Sequence, residues 1–266
     1  AAVNAAAGAE QIGAVRLVAQ RMAGGISAGD RVAIVSGNSP RRLAWQFAIW
    51  WIGAVEVSVN SELRGPLLAF VLADAELSFL VVEREFLELV SDQPVPVLII
   101  DEHVAGFVTA SQAADLDQVA LSMNPSGLAT ILYTSGTTGP SKGVMLPRAY
   151  FSNLGAVWAG ALHLSTDDIG YFVLPFFHVD CHIAICAVIQ SRSTLAFDRR
   201  FSASRWWSQI AGWKCTWAMC IGALLSIVMA TGDGRPPEPI ALTRLLGGPI
   251  PRNAYTHFED DLGIPI

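Results

Sequence analysis

Residues 133–143 read Tyr133-Thr134-Ser135-Gly136-Thr137-Thr138-Gly139-Pro140-Ser141-Lys142-Gly143, and the rest of the chain is best read outward from them. The segment follows a short apolar run with strand character, 128–134, and precedes a helical pattern over 147–162. Glycines let a backbone approach an anion closely and take up positive φ, so that successive N–H groups converge on it. The hydroxyls of Thr134, Ser135, Thr137 and Thr138 add donors. Lys142 supplies a compact positive charge able to follow the terminal phosphates of a nucleotide. The segment is neither a Walker A loop, which needs Gly-Lys-Ser/Thr after four variable residues, nor a Gly-x-Gly-x-x-Gly turn. A flexible connector can share this composition, but it has no need of this order. The stretch therefore reads as a triphosphate cradle.

Outward from it, short β-branched or apolar runs alternate with helical patterns, the rhythm of a mainly parallel sheet covered by helices. Strands are expected at 31–36, 55–59, 77–82 and 97–100 before the loop, and at 169–174, 193–197, 215–219 and 242–246 after it. Ile12, Val15, Val18, Ala19 and Met22 recur at helical spacing and stop at Gly24-Gly25. Asn38 or Ser39 can cap a helix that Pro40, with no N–H to lose, begins and that runs to about Ala54. Residues 101–127 lose the rhythm and read as a solvated connection. The expected fold class is α/β, with two Rossmann-like lobes of mainly parallel sheet flanked by helices. Lobe 1 spans about 29–165, including the phosphate loop; lobe 2 spans about 1–28 plus 166–266, with the boundary around 165–168.

Of the 266 residues, 52% are hydrophobic and 15% charged, so the chain has ample apolar surface to bury. The formal net charge is −6 and Lys and Arg form no stripe, which removes nucleic acid from the candidate partners. Cys181, Cys186, Cys215 and Cys220 contain no Cys-x-x-Cys pair and read as reduced thiols of a cytoplasmic protein. The longest uncharged run, 215–232, reaches the lower length limit of a membrane span. Its β-rich opening, Gly222 and Ser226 resolve it into a buried strand, a turn and a buried helix, so no transmembrane span is expected and any membrane contact is peripheral. The Ala-rich first residues show no signal-peptide pattern. His178 and His182 offer only two metal ligands at helical spacing, without the Glu of the zinc proteases. Gly25-Ile26-Ser27-Ala28-Gly29 matches Gly-x-Ser-x-Gly, but a helix precedes it and a strand follows, the reverse of what a hydrolase elbow needs.

The segment 133–143 resembles the signature loop of the adenylate-forming superfamily, which includes acyl-CoA synthetases, adenylation domains of peptide synthetases and beetle luciferases. Its Pro140-Ser141 departs from the variable residue and Pro that many members place before the Lys. The resemblance extends along the chain: Ala28-Gly29-Asp30-Arg31-Val32-Ala33, Asn38-Ser39-Pro40 and Trp51-Ile52-Gly53-Ala54-Val55 are similar to the family's early strand–helix–strand. Leu174-Pro175-Phe176-Phe177-His178-Val179 is similar to its aromatic–histidine motif, and Leu245-Leu246-Gly247-Gly248-Pro249-Ile250-Pro251 to its adenine-contacting strand end. Residues 200–207 are similar to a tract of the carnitine-type and fatty acyl-CoA ligases.

What the resemblance implies is a two-step reaction. A small-molecule carboxylic acid, fatty or another acyl acid, attacks the α-phosphorus of ATP, and coenzyme A then displaces AMP from the acyl-adenylate. Lys142 and His178 are the implied catalytic residues. ATP would be held by Thr134, Ser135, Gly136, Thr137, Thr138, Gly139 and Lys142 and by Gly247, Gly248 and Pro249, with Mg2+ at Thr138. Phe177, His178, Cys220, Gly222 and Ala223 would line the acid's pocket, with Ala218 on the same tract. A homodimer is compatible with the family. The family continues past the position of residue 266 with a glutamate-bearing motif, a ribose-binding aspartate, a hinge and a small lysine-bearing domain. Residues 1–266 are accordingly read as a truncated N-terminal domain with negligible ligase activity alone. The competing readings are an adenylation domain serving a carrier protein and a nucleotide-binding module without chemistry.

Overall fold

The computed structural model describes residues 25–100, 122–134, 140–231, 234–236 and 239–266, the backbone of 2–4, and positions 15, 19 and 118. The chain divides into two units. One, the amino-terminal unit, comprises Gly8–Phe151 with Phe177–Val179; the other, the carboxy-terminal unit, comprises Ala1–Ala7, Ser152–Phe176 and Asp180–Ile266. Strand β1 (Ala2–Asn4) belongs to the second.

The amino-terminal unit is built on β2 (Arg31–Val35), β3 (Val55–Ser58), β4 (Phe79–Val82), β5 (Val97–Ile99), β6 (Leu128–Thr134) and β7 (Lys142–Pro147), in the order β5-β4-β2-β3-β6-β7. All neighbours pair in parallel except β6 and β7. Side chains alternate across a strand, and both faces are buried. Val32 and Ile34 pack with Trp45, Ala48 and Ile49, while Ala33 and Val35 pack with Val57, Leu68 and Val71. Helix α1 (Pro40–Trp51) starts as expected: the Ser39 hydroxyl accepts the Arg42 N–H at 3.1 Å. It ends three residues before Ala54, because Gly53 takes up φ +82 to turn the chain into β3. Helix α2 (Gly65–Asp74) buries Leu68, Val71 and Leu72 in the cluster with Ala33, Val35 and Val57. Between α1 and the sheet the Arg42 guanidinium meets Glu56 Oε1 at 3.0 Å and donates to Ser58 Oγ at 2.6 Å and to Gln46. Thr130 donates to Glu56 Oε2 at 3.2 Å and accepts the Trp50 indole N–H at 3.1 Å.

In the carboxy-terminal unit β8 (Ile169–Phe172), β9 (Thr194–Phe197), β10 (Trp217–Cys220) and β11 (Arg244–Gly247) form a sheet ordered β1-β9-β8-β10-β11, parallel except for β1 against β9. Its helices are α3 (Arg148–Ala161), which carries the unit boundary at Phe151/Ser152, α4 (Val179–Ser191), α5 (Trp206–Gly212), α6 (Gly222–Met229) and the short α7 (Arg252–Tyr255). Tyr171, Trp206, Ala218 and Leu225 are buried together. Gly170 must be glycine, since a Cβ there would lie 2.3 Å from the Trp217 ring. At the amino ends of β8, β10 and β11, Asp168 gathers the Thr216 hydroxyl at 2.6 Å, the Ser165 N–H at 2.8 Å and the Arg244 guanidinium. Burial pushes the Asp168 carboxyl up, but those hydrogen bonds and the Arg244 charge together hold it below its ordinary value.

Two mainly parallel sheets flanked by helices are thus the fold class expected, with three differences. The boundary lies at Phe151/Ser152 rather than around 165–168. Residues 8–28 group with the amino-terminal unit rather than with lobe 2, because Val15, Ala19 and Ile26 are buried beside Val32 and Trp45. Strand β7 intervenes between the loop and the following helix, where a direct passage into helix is expected. Ile12, Val18, Met22 and Gly24 lie outside the described residues, as does most of 101–121. No helix among the described residues is long and apolar enough to cross a membrane.

Candidate active site

The phosphate segment sits on a hairpin. Residues Thr134 and Lys142 face each other across β6 and β7, and Tyr133 faces Gly143. Gly143 is dictated by its neighbours: a Cβ would lie 2.9 Å from Ile131 Cγ2 and 3.3 Å from Tyr133 Cζ. With no side chain at 143, the Tyr133 ring lies over the partner strand and its hydroxyl donates to Asp74 Oδ2 at 2.7 Å. Burial and that carboxylate raise the phenol above its usual range, keeping it a neutral donor. The hairpin is thereby tied to the end of α2. Thr134 and Lys142 are exposed at its root. Ser135, Gly136, Thr137, Thr138 and Gly139, with the Mg2+ assigned to Thr138, lie outside the described residues.

The carboxy-terminal unit holds a cavity of about 190 Å³ at the carboxyl ends of β10 and β11, where parallel sheets generally take their ligands. Cys220 ends β10, Gly247 ends β11, and both line it with Gly248. A Cβ at Gly247 would collide with the Cys220 carbonyl oxygen, so glycine is needed for β11 to close on β10. Burial pushes the Cys220 thiol up to about 12, which makes it a neutral wall and not a nucleophile. Gly222 opens α6 with its N–H on the Pro249 carbonyl at 3.2 Å; its missing Cβ would fall 2.4 Å from that oxygen. Ala223 is exposed on α6 and Ala218 is in the core. Phe177, half-buried, and His178, exposed, immediately precede α4.

The other walls were not among the residues expected from sequence. Trp158 comes from α3, Asp180 and Ile183 from the first turns of α4, and Met219 from β10. The two helices touch where Gly155 faces the Cys186 backbone; a Cβ at 155 would sit 2.6 Å from that carbonyl oxygen. One turn from this contact on each helix stand Trp158 and Ile183. A turn of acidic and apolar residues after the 174–179 motif is the signal that could have singled out Asp180.

A family model described as AMP-binding enzyme matches residues 13–266. The crotonobetaine/carnitine–CoA ligase of Salmonella typhimurium (strain LT2) is 30% identical over 221 residues, which are 77% of this chain and 43% of that protein. The same figures hold for the ligase of that name from Salmonella typhi. The chain therefore spans less than half the length of these curated relatives. Among solved structures, the inhibitor-bound N-terminal domain of FACL13 from Mycobacterium tuberculosis matches with a TM-score of 0.80 at 22% identity, covering 96% of this chain and 66% of that one. An anthranilate CoA ligase, AuaEII, in complex with anthranoyl-AMP matches with a TM-score of 0.80 at 19% identity, covering 96% and 52%.

Proposed function

The chain belongs to the AMP-binding enzyme family, and on that premise we propose that it forms the ATP- and acid-binding part of an acid–CoA ligase. The observation that carries the reading is the hairpin root, where Lys142 stands exposed opposite Thr134, with the Gly- and hydroxyl-rich residues 135–139 between them in sequence. In the proposed reaction a carboxylate oxygen attacks the α-phosphorus of ATP, the bond to the bridging oxygen breaks, and pyrophosphate leaves. The thiol of coenzyme A then adds to the acyl carbon and AMP departs. Lys142 stabilises charge gathering on the departing phosphates, and preorganised donors act most strongly where charge develops. Gly247, Gly248 and Pro249 are assigned to adenine. Phe177, His178, Cys220, Gly222 and Ala223 are assigned to the acid, a fatty or other acyl acid. ATP brings Mg2+, which is assigned to no described residue. The four free thiols suit a reducing compartment such as the cytoplasm.

Residues 1–266 are proposed to bind ATP without completing the ligation, the matched segment being 43% of the relatives' length. Removing the Lys142 charge by Lys142→Ala is expected to weaken ATP binding about tenfold, the scale of one charge-assisted contact. Calorimetric titration with ATP measures it; an unchanged affinity would remove Lys142 from the phosphate site. Thioester formation at full turnover by residues 1–266 would overturn the division of labour.

A further inference from the structure

The amino-terminal unit holds a larger cavity of about 570 Å³, within the roughly 300–1,000 Å³ of ordinary ligand pockets. It lies where Arg31 opens β2, Val55 opens β3 and Leu128 opens β6, at the amino ends of these parallel strands. The phosphate segment follows the other end of β6. Seven residues of strand, at roughly 3.3 Å each, put about 20 Å between the two. An occupant of the cavity is therefore a bystander to chemistry at the phosphate segment.

Ala28, Val55, Met123 and Leu128 give the walls hydrocarbon and sulfur, and the two charged side chains among the described lining residues are Arg31 and Arg148. Arg31 uses Nη1 for the Ala75 carbonyl at 3.0 Å and for Glu76 at 2.9 Å; Glu76 is 78% exposed, so solvent screens that pair. Arg148 has no carboxylate beside it. Its Nε donates to Met123 Sδ at 3.3 Å, Nη1 to the Leu128 carbonyl at 2.7 Å and Nη2 to the Ala54 carbonyl at 3.5 Å. These acceptors belong to the wall or adjoin it, so the guanidinium lies against the cavity, and each Nη keeps one N–H in reserve. Burial without a counter-charge lowers the Arg148 pKa from its ordinary value. Asn124 accepts the Ser126 N–H on Oδ1 at 2.9 Å, which leaves its amide nitrogen as a further donor. An oxyanion would satisfy these donors and the charge, while the apolar walls favour hydrocarbon.

We propose that this cavity binds a small organic anion, a carboxylate or phosphate monoester on an apolar body, with its head group on Arg148 and Arg31. Such a site stands whether or not the chain activates acids. Arg148 also ties the start of β6 to the turn before β3 through the Leu128 and Ala54 carbonyls. That role alone would give Arg148→Gln a stability cost without any change in preference for anions.

The test is calorimetric titration of the 266-residue chain with benzoate, phenyl phosphate, inorganic phosphate and benzyl alcohol, with and without saturating ATP, in EDTA to suppress turnover. The tighter of the two aromatic anions is expected to exceed benzyl alcohol about tenfold, the scale of one charge-assisted contact, and it identifies the head group. Phenyl phosphate should exceed inorganic phosphate severalfold, and ATP should leave the binding in place. The anion preference should fall towards one in Arg148→Gln, a ratio that cancels any general loss of folded protein. Ala28→Trp fills the space from an exposed position and should abolish binding, which keeps the test decisive if Arg148→Gln does not fold. Benzyl alcohol binding as tightly as the anions, a preference that survives Arg148→Gln, binding that survives Ala28→Trp, or displacement by ATP would each overturn the site. If ATP binds and no anion does, the site is overturned and the acid-activating reading stands.

Discussion

Each unit of this protein buries an ion pair, and the two are buried to different depths. Arg42 and Glu56, in the amino-terminal unit, are 1% and 0% exposed. Arg244 and Asp168, in the carboxy-terminal unit, are 26% and 10% exposed. In the first pair, water cannot replace a missing partner, so the charge left behind carries its full desolvation cost. In the second, Thr216 and Ser165 share the work of holding the carboxylate, and solvent reaches the guanidinium. Depth, more than distance, should therefore rank the consequences of breaking them.

The largest loss is expected from Glu56→Gln, which strands the Arg42 charge and should cost about 3–5 kcal/mol in denaturant unfolding. A loss near that of a surface pair would mean that water enters behind α1. Replacing both partners by apolar side chains, Arg42→Met with Glu56→Leu, should cost less than the single substitution, since no charge remains to be stranded. Asp168→Asn comes next, at about 2 kcal/mol, and it has a pH signature. The folded carboxyl is held below its ordinary value, so the unfolded chain takes up the proton first as pH falls. Its stabilisation is complete above the unfolded carboxyl's pKa of about 3.9 and drains away as pH drops through the lower folded value. Stability measured between neutral and acid pH should thus fall less steeply in Asp168→Asn than in the parent; parallel acid limbs would break the comparison. The smallest effect is expected at the most exposed of the three contacts, the Tyr133–Asp74 bond. Tyr133→Phe should cost about 0.5–1.5 kcal/mol, read by the same unfolding measurement.

Much of the architecture was legible because it depends on neighbours in sequence. Ser39 before Pro40 announces a helix start by local hydrogen bonding, and the apolar runs at β2 and β4 announce buried parallel strands. Strand β7 escaped because it is an edge. Val144 and Met145, 43% and 66% exposed, show none of the in–out alternation by which half-buried strands are recognised. The placement of 8–28 escaped because it rests on Val15, Ala19 and Ile26 meeting Val32 and Trp45, contacts that sequence spacing does not reveal. The phosphate segment and the cavity differ in the same way. The first is eleven consecutive residues whose order could be read directly, whereas the second is assembled from α3, α4, β10 and β11. Cys220, Gly247 and Gly248 were reached by resemblance; Trp158 and Asp180 converge only through packing.

Gly155 determines how closely α3 and α4 approach, because any side chain there would run into the Cys186 carbonyl. Trp158 and Ile183, one turn away, both line the cavity at the ends of β10 and β11. The bore of that chamber is therefore gauged by a residue that does not line it. Gly155→Ala should prise the helices apart and widen that space while leaving every group that lines it unaltered. Such a position can set the width of a cavity one methyl group at a time without touching its lining.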